Sequence, residues 1–177
     1  MAKRNMGVLQ KRKPDFSGLD VYQNNQVKKS NSIKLINDNQ AIIKINNISY
    51  NVSKNENICN SGYGNIVRSQ IFTKDIKIKL SGYGSIFLSG VSYSQQTILS
   101  GYGTIDARRL GCLYSTIKLS GYGDAYIVAI DELNAKISGY GNVYCFGRPK
   151  VVNVKTSGCG NVFFYDLEGS VAKQVKY

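Results

Sequence analysis

The sequence predicts an all-β solenoid of about six to seven coils of 18–20 residues, and three observations carry that prediction. A Ser-Gly-x-Gly motif begins at Ser61, Ser81, Ser100, Ser120, Ser138 and Ser157, with Tyr at x in five of the six copies. The steps between copies are 20, 19, 20, 18 and 19 residues, a near-constant period in which each repeat is one coil that buries its apolar face only against its neighbours. Around the motif, apolar columns are separated by even numbers of residues, the alternation of a strand with one buried face.

In chain order, residues 1–30 read as a basic arm. Lys3, Arg4, Lys11, Arg12, Lys13, Lys28 and Lys29 face only Asp15 and Asp20, so seven cations less two carboxylates give +5 of the net +12. The segment has few large apolar residues to bury. Such an arm is drawn to nucleic acid, anionic lipid or an acidic protein surface, with affinity that falls steeply with salt; a solvated solubility tail is the plain alternative. Zinc-finger spacing, a helix-turn-helix pattern and a ribonucleoprotein motif are all missing, so any nucleic-acid contact is expected to be non-specific. No apolar run follows the early positive charges, which argues against a secretory signal or transmembrane segment. The expected location is therefore intracellular, in the cytoplasm or packaged in a virion.

Residues 31–60 are expected to supply capping strands or a first coil. Ile33, Leu35, Ile42, Ile43, Ile45, Ile48, Tyr50 and Val52, around a break at Asn37-Asp38-Asn39, predict two or three strands. A cap is needed because an open solenoid end exposes unpaired strand edges.

Residues 61–177 form the repeat domain. Ile66, Ile86, Ile105, Ala125, Val143 and Val162 make one inward column, and Leu80, Leu99, Leu119, Ile137 and Thr156 make another. A third column, two residues earlier, holds Ile78, Thr97, Ile117, Ala135 and Val154. Carried through the motif, the alternation turns the glycine pairs Gly62/Gly64, Gly82/Gly84, Gly101/Gly103, Gly121/Gly123, Gly139/Gly141 and Gly158/Gly160 inward. A residue without Cβ at those positions lets the chain turn sharply or approach another backbone closely, so the motif reads as a structural corner. Tyr63, Tyr83, Tyr102, Tyr122 and Tyr140 then point outward as a ladder at the interstrand spacing of about 4.8 Å, ended by Cys159. Stacked rings stabilise a sheet as cross-strand pairs do; a continuous exposed aromatic stripe also marks an interaction site.

The run Ser-Gly-Tyr-Gly-Asn-Ile at Ser61 to Ile66, repeated at this period, resembles the recurrent glycine-rich motifs of the auto-transporter adhesin head domain family, also called the GIN domain. The resemblance covers Ser61 to Tyr177, or somewhat more if residues 31–60 add the first coils. It implies a right-handed parallel β-helix and an adhesin-like role.

Catalysis and cofactors find little support in the residues. The chain has no His, which removes the usual serine and cysteine hydrolase arrangements. Asp106, Arg108, Arg109 and Asp124 fall in different columns and read as solvated pairs rather than as a polysaccharide-cleaving cluster. The Gly-x-Gly elements are not phosphate loops, since no Gly-Lys-Ser/Thr follows and no helix is expected after the turn. Cys59, Cys112, Cys145 and Cys159 lack metal-ligand spacing and are expected as free thiols, so neither a metal, a cofactor nor a small-molecule substrate is expected. Two functions fit: a non-enzymatic structural protein docked through its arm into a homo- or hetero-assembly such as a virion, shell or filament, and an adhesin-like module contacting glycan or protein through its Tyr-lined face.

Overall fold

The computed structural model describes residues 32–37, 40–45, 48–167 and 171–175; the arm expected over residues 1–30 lies outside them. Among the described residues the chain is all-β without a helix, wound as a parallel β-solenoid of about six turns.

The N-terminal strands β1 (Ser32–Asn37) and β2 (Gln40–Ile45) form an antiparallel hairpin, and β2 pairs antiparallel with the start of β3 (Ile48–Asn60). From Ser53 onward β3 changes role, pairing in parallel with β4 (Ile66–Leu80), so one strand joins the hairpin to the solenoid. Next come β5 (Ile86–Leu99) and β6 (Ile105–Leu119), each bent around a whole coil and stacked in parallel. Later coils break into two strands each: β7 (Ala125–Val128) with β8 (Glu132–Ile137), then β9 (Val143–Phe146) with β10 (Val151–Thr156). Pro149, which has no N–H to donate, lies in the second of these breaks, and Gly147 there takes a left-handed φ of 117°. The sheet closes with β11 (Val162–Tyr165) on β9 and with β12 (Val171–Val175) antiparallel to β11.

Register stacks like on like, which is why the period is visible in the sequence. Ile66, Ile86, Ile105, Ala125, Val143 and Val162 are direct partners on successive coils. Leu80, Leu99, Leu119 and Ile137 form a second column, and all four are buried in the main core. At the far corner a polar column replaces the apolar ones: Thr73, Ser92 and Cys112 are buried in register, and each donates to the carbonyl two residues ahead, of Asp75, Ser94 and Tyr114. Those bonds satisfy backbone acceptors that the bend would otherwise strand. Burial pushes the thiols of Cys112 and Cys145 up to about 12.

Candidate binding face

The face is built outward from the glycine corner. In the first five motifs the carbonyl oxygen of the first glycine accepts two hydrogen bonds from the next coil: for example, Tyr102 N at 3.1 Å and Gly103 N at 3.4 Å donate to Gly82, and Tyr122 N at 3.1 Å and Gly123 N at 3.3 Å donate to Gly101. A Cβ on Gly82, Gly101, Gly121, Gly139 or Gly158 would overlap the first-glycine carbonyl of the coil before it, and one on Gly84, Gly103, Gly123, Gly141 or Gly160 would overlap the second-glycine carbonyl. Among the described glycines with positive φ are Gly90 and Gly147 but none of the motif glycines, so close backbone approach, not a left-handed turn, is what the motif requires. Gly62, Gly64 and Gly158, all on the terminal coils, are exposed, whereas the other motif glycines, Gly160 of the last coil among them, are buried.

At the first corner a side chain takes the place of the missing coil. Asn60 Nδ2 donates to the Gly64 carbonyl at 2.7 Å, and Gly62 N donates to Asn60 Oδ1 at 3.1 Å. Asn60 occupies the inward position filled by Leu80 one coil later. That substitution of Asn in a Leu column is the sequence signal of the cap.

Because each corner repeats the same backbone path, the tyrosines fall in one line. Tyr63, Tyr83, Tyr102, Tyr122 and Tyr140 stack with ring centroids 5.1, 5.0, 4.8 and 4.9 Å apart and interplanar angles of 3–5°. Tyr63 is 82 % exposed and the others 54–60 %, so the rings bury their faces on one another and turn their edges to solvent. Cys159 continues the position and is exposed.

Two further columns run beside the ladder. Immediately after the second glycine, Asn65, Asp124 and Asn142 carry hydrogen bonds from coil to coil: Ser85 N to Asn65 Oδ1 at 2.8 Å, Asn142 N to Asp124 Oδ1 at 2.7 Å and Asn161 N to Asn142 Oδ1 at 3.1 Å. Two residues on is a second aromatic line, with Tyr126 stacked on Tyr144 at 4.6 Å and Tyr144 on Phe163 at 5.2 Å. Arg108 lies over the Tyr126 ring at 4.9 Å from its centroid and bonds Asp106 through Nε at 2.9 Å. Burial works to raise the Asp106 carboxyl, but the hydrogen bonds and charge of Arg108 outweigh it and hold the group below the usual carboxylate range. Asp106 and Arg108 thus form a surface pair, while Asp124 serves the backbone of the next coil.

Cys59 and Cys159 are exposed, Cys112 and Cys145 are buried, and all four are free thiols. No group of three or more His, Cys, Asp or Glu side chains that could hold a metal ion occurs among the described residues. No helix among them is long and apolar enough to cross a membrane. Chemically, the face offers phenol edges and hydroxyls at a regular spacing, bordered by amide and carboxylate acceptors.

Residues 17–149 match the family described as "Putative auto-transporter adhesin, head GIN domain". The match begins before the first motif and stops short of the sixth, at Ser157. Neither curated proteins nor solved structures gave a match to the chain.

Proposed function

The chain belongs to the auto-transporter adhesin head GIN-domain family, and from that membership we propose that it is a non-enzymatic, adhesin-like binding module that contacts glycan or protein through its Tyr-lined face. The observation that carries the reading is the ladder itself: five rings in line, each more than half exposed, on a rigid stack that fixes their spacing. A contiguous aromatic stripe of this kind is what interaction surfaces expose and what isolated surfaces tend to avoid. Family membership favours this reading over a virion, shell or filament component. On it, the face works where partners reach it from outside, and the basic arm is secondary.

Stacking also stabilises the coils, by roughly 0.2–1 kcal/mol per cross-strand pair. Replacing Tyr83, Tyr102 and Tyr122 together by Ala removes every stacked pair of the ladder, so the variant is expected to melt earlier yet remain folded at 20 °C. At that temperature its retention on an immobilised glycan panel is expected to fall at least about 30-fold, since aromatic anchors dominate interface energies. Undiminished retention by the folded variant would reduce the ladder to scaffold and overturn the reading.

A further inference from the structure

We propose that the ligand of this face is an anionic polysaccharide lying along the solenoid axis, its carboxylate or sulfate groups held by a column of lysines beside the Tyr ladder. The inference rests on the binding-module reading above and adds the chemistry of the ligand. Two residues before each motif serine, Lys79, Ile98, Lys118, Lys136 and Lys155 are direct partners on successive coils. The four lysines are exposed. Lys118, Lys136 and Lys155 are consecutive, so three ammonium-bearing chains rise from one line at about the 4.8 Å strand spacing.

Like charges set directly opposite on neighbouring strands destabilise a sheet. The chain forms ion pairs elsewhere, Arg68 with Glu56, Lys74 with Asp75, Arg108 with Asp106 and Lys150 with Asp131. Lys79, Lys118, Lys136 and Lys155 form no ion pair among the described residues. The stack therefore holds a line of positive charge at a cost in stability, and an anion lying along it relieves that cost.

The surroundings fit a sugar polymer. Beside the lysines runs a polar column of Gln96, Thr116, Asn134 and Asn153 in register, in which Asn153 Nδ2 donates to Asn134 Oδ1 at 2.9 Å. On the other side the Tyr column follows four residues later in sequence, at most about 13 Å along an extended chain. Carboxylates define where the anion lies. Glu56 and Asp75 lie with Lys77 at the N-terminal end of a groove of about 480 Å³ that runs across β5 to Tyr114 and Thr116 of β6, while Glu132, on the coil of Lys136, has its Oε1 engaged by Asn134 Nδ2 at 2.7 Å. The ligand is thus centred on Lys118, Lys136 and Lys155, with a hexose of an extended 1,4-linked chain advancing by about one strand spacing.

Single-stranded nucleic acid is the competing polyanion, and the ring geometry disfavours it. Bases bind aromatic side chains by stacking on open ring faces. Here every face of the three middle rings, and one face of each end ring, Tyr63 and Tyr140, is closed by a neighbouring ring at 4.8–5.1 Å, so the ladder offers edges and hydroxyls, which suit sugar hydroxyl groups, far more than open faces.

The test measures affinity of the full chain for polygalacturonate, for its carboxyl-reduced neutral counterpart, for chondroitin sulfate and for oligothymidylate, at two salt concentrations. At least one acidic polysaccharide is expected to bind about tenfold or more tightly than the neutral polymer, the two acidic arms separating carboxylate from sulfate. Replacing Lys118, Lys136 and Lys155 together by Gln is expected to remove that advantage and flatten the salt dependence. Melting of the unliganded variant is expected to stay level or rise, and the acidic polymer should raise the wild-type melting temperature but not the variant's. Replacing Lys11, Arg12 and Lys13 by Gln is expected to leave most of the advantage in place. Equal binding by wild type and the face variant, tighter binding of oligothymidylate, or retention of neither acidic polymer overturns the proposal. Tyr122 and Tyr140 stand on the coils of Lys118 and Lys136, so if replacing these two tyrosines by Ala abolishes binding while the lysine variant keeps it, the ligand class is wrong and the binding face stands; if the tyrosine variant keeps binding, the face itself is wrong.

Discussion

One methyl group decides whether two of these coils can stack. A Cβ at position 101 would overlap the Gly82 carbonyl, the same oxygen that accepts from Tyr102 N and Gly103 N, so the clash and the hydrogen bonds compete for one site. Gly121 stands in the same relation to Gly101. Gly64 does not, having nothing within 4 Å of its Cβ position. Gly101→Ala and Gly121→Ala are each expected to destabilise by more than about 2 kcal/mol, and Gly64→Ala by no more than about 0.5 kcal/mol, in thermal melts. Equal melting of all three would sink the close-approach account. The glycine requirement was legible because it recurs at a fixed period in the sequence. The cap by Asn60 was not, since it occurs once and its signal is a single polar residue in a Leu column.

Within the strands, the inward columns tolerate polar residues where the backbone offers a partner. Ser92 and Ser115 donate to carbonyls at 2.7 and 2.6 Å, whereas Thr97, fully buried between Ile78 and Ile117, has an unpartnered hydroxyl among the described residues. Thr97→Val puts a methyl of similar size in place of that hydroxyl and is expected to raise stability by about 1–3 kcal/mol. Ser92→Ala, which strands a bonded carbonyl, is expected to lower it. Denaturant midpoints of the two variants check the contrast, and a Thr97→Val midpoint at or below wild type would mean that the hydroxyl has found a partner. Alternation made β4, β5 and β6 readable, because each inward side carries an apolar residue in nearly every coil. The breaks after Val128 and Phe146 were not readable, since Ala129 and Ile130 still bond neighbouring coils while leaving strand geometry. Nor was the lysine column: exposed positions carry no apolar signal, and its regularity emerges once the coils are in register.

Taken as a whole, the molecule is a one-dimensional stack, so its stability is set coil by coil and weakens toward the ends. Strands β5 and β6 are paired on both sides along most of their length. The ends are covered unequally: the β1–β2 hairpin lies on β3 and β12 lies on β11, but β10 pairs with β8 alone among the described residues. Its side chains alternate between exposed and half-buried, with Val152 and Val154 resting on the main core. Local opening is therefore expected to begin at β10 and to spare the central coils. Native-state hydrogen exchange should find the slowest amides in β5 and β6 and those of β10 exchanging at least about 100-fold faster. Protection in β10 equal to that in β5 would show that its free edge is covered in solution. Dilution would then identify the cover, because protection given by a second copy fades as the protein concentration falls, whereas protection given by the chain's own residues does not.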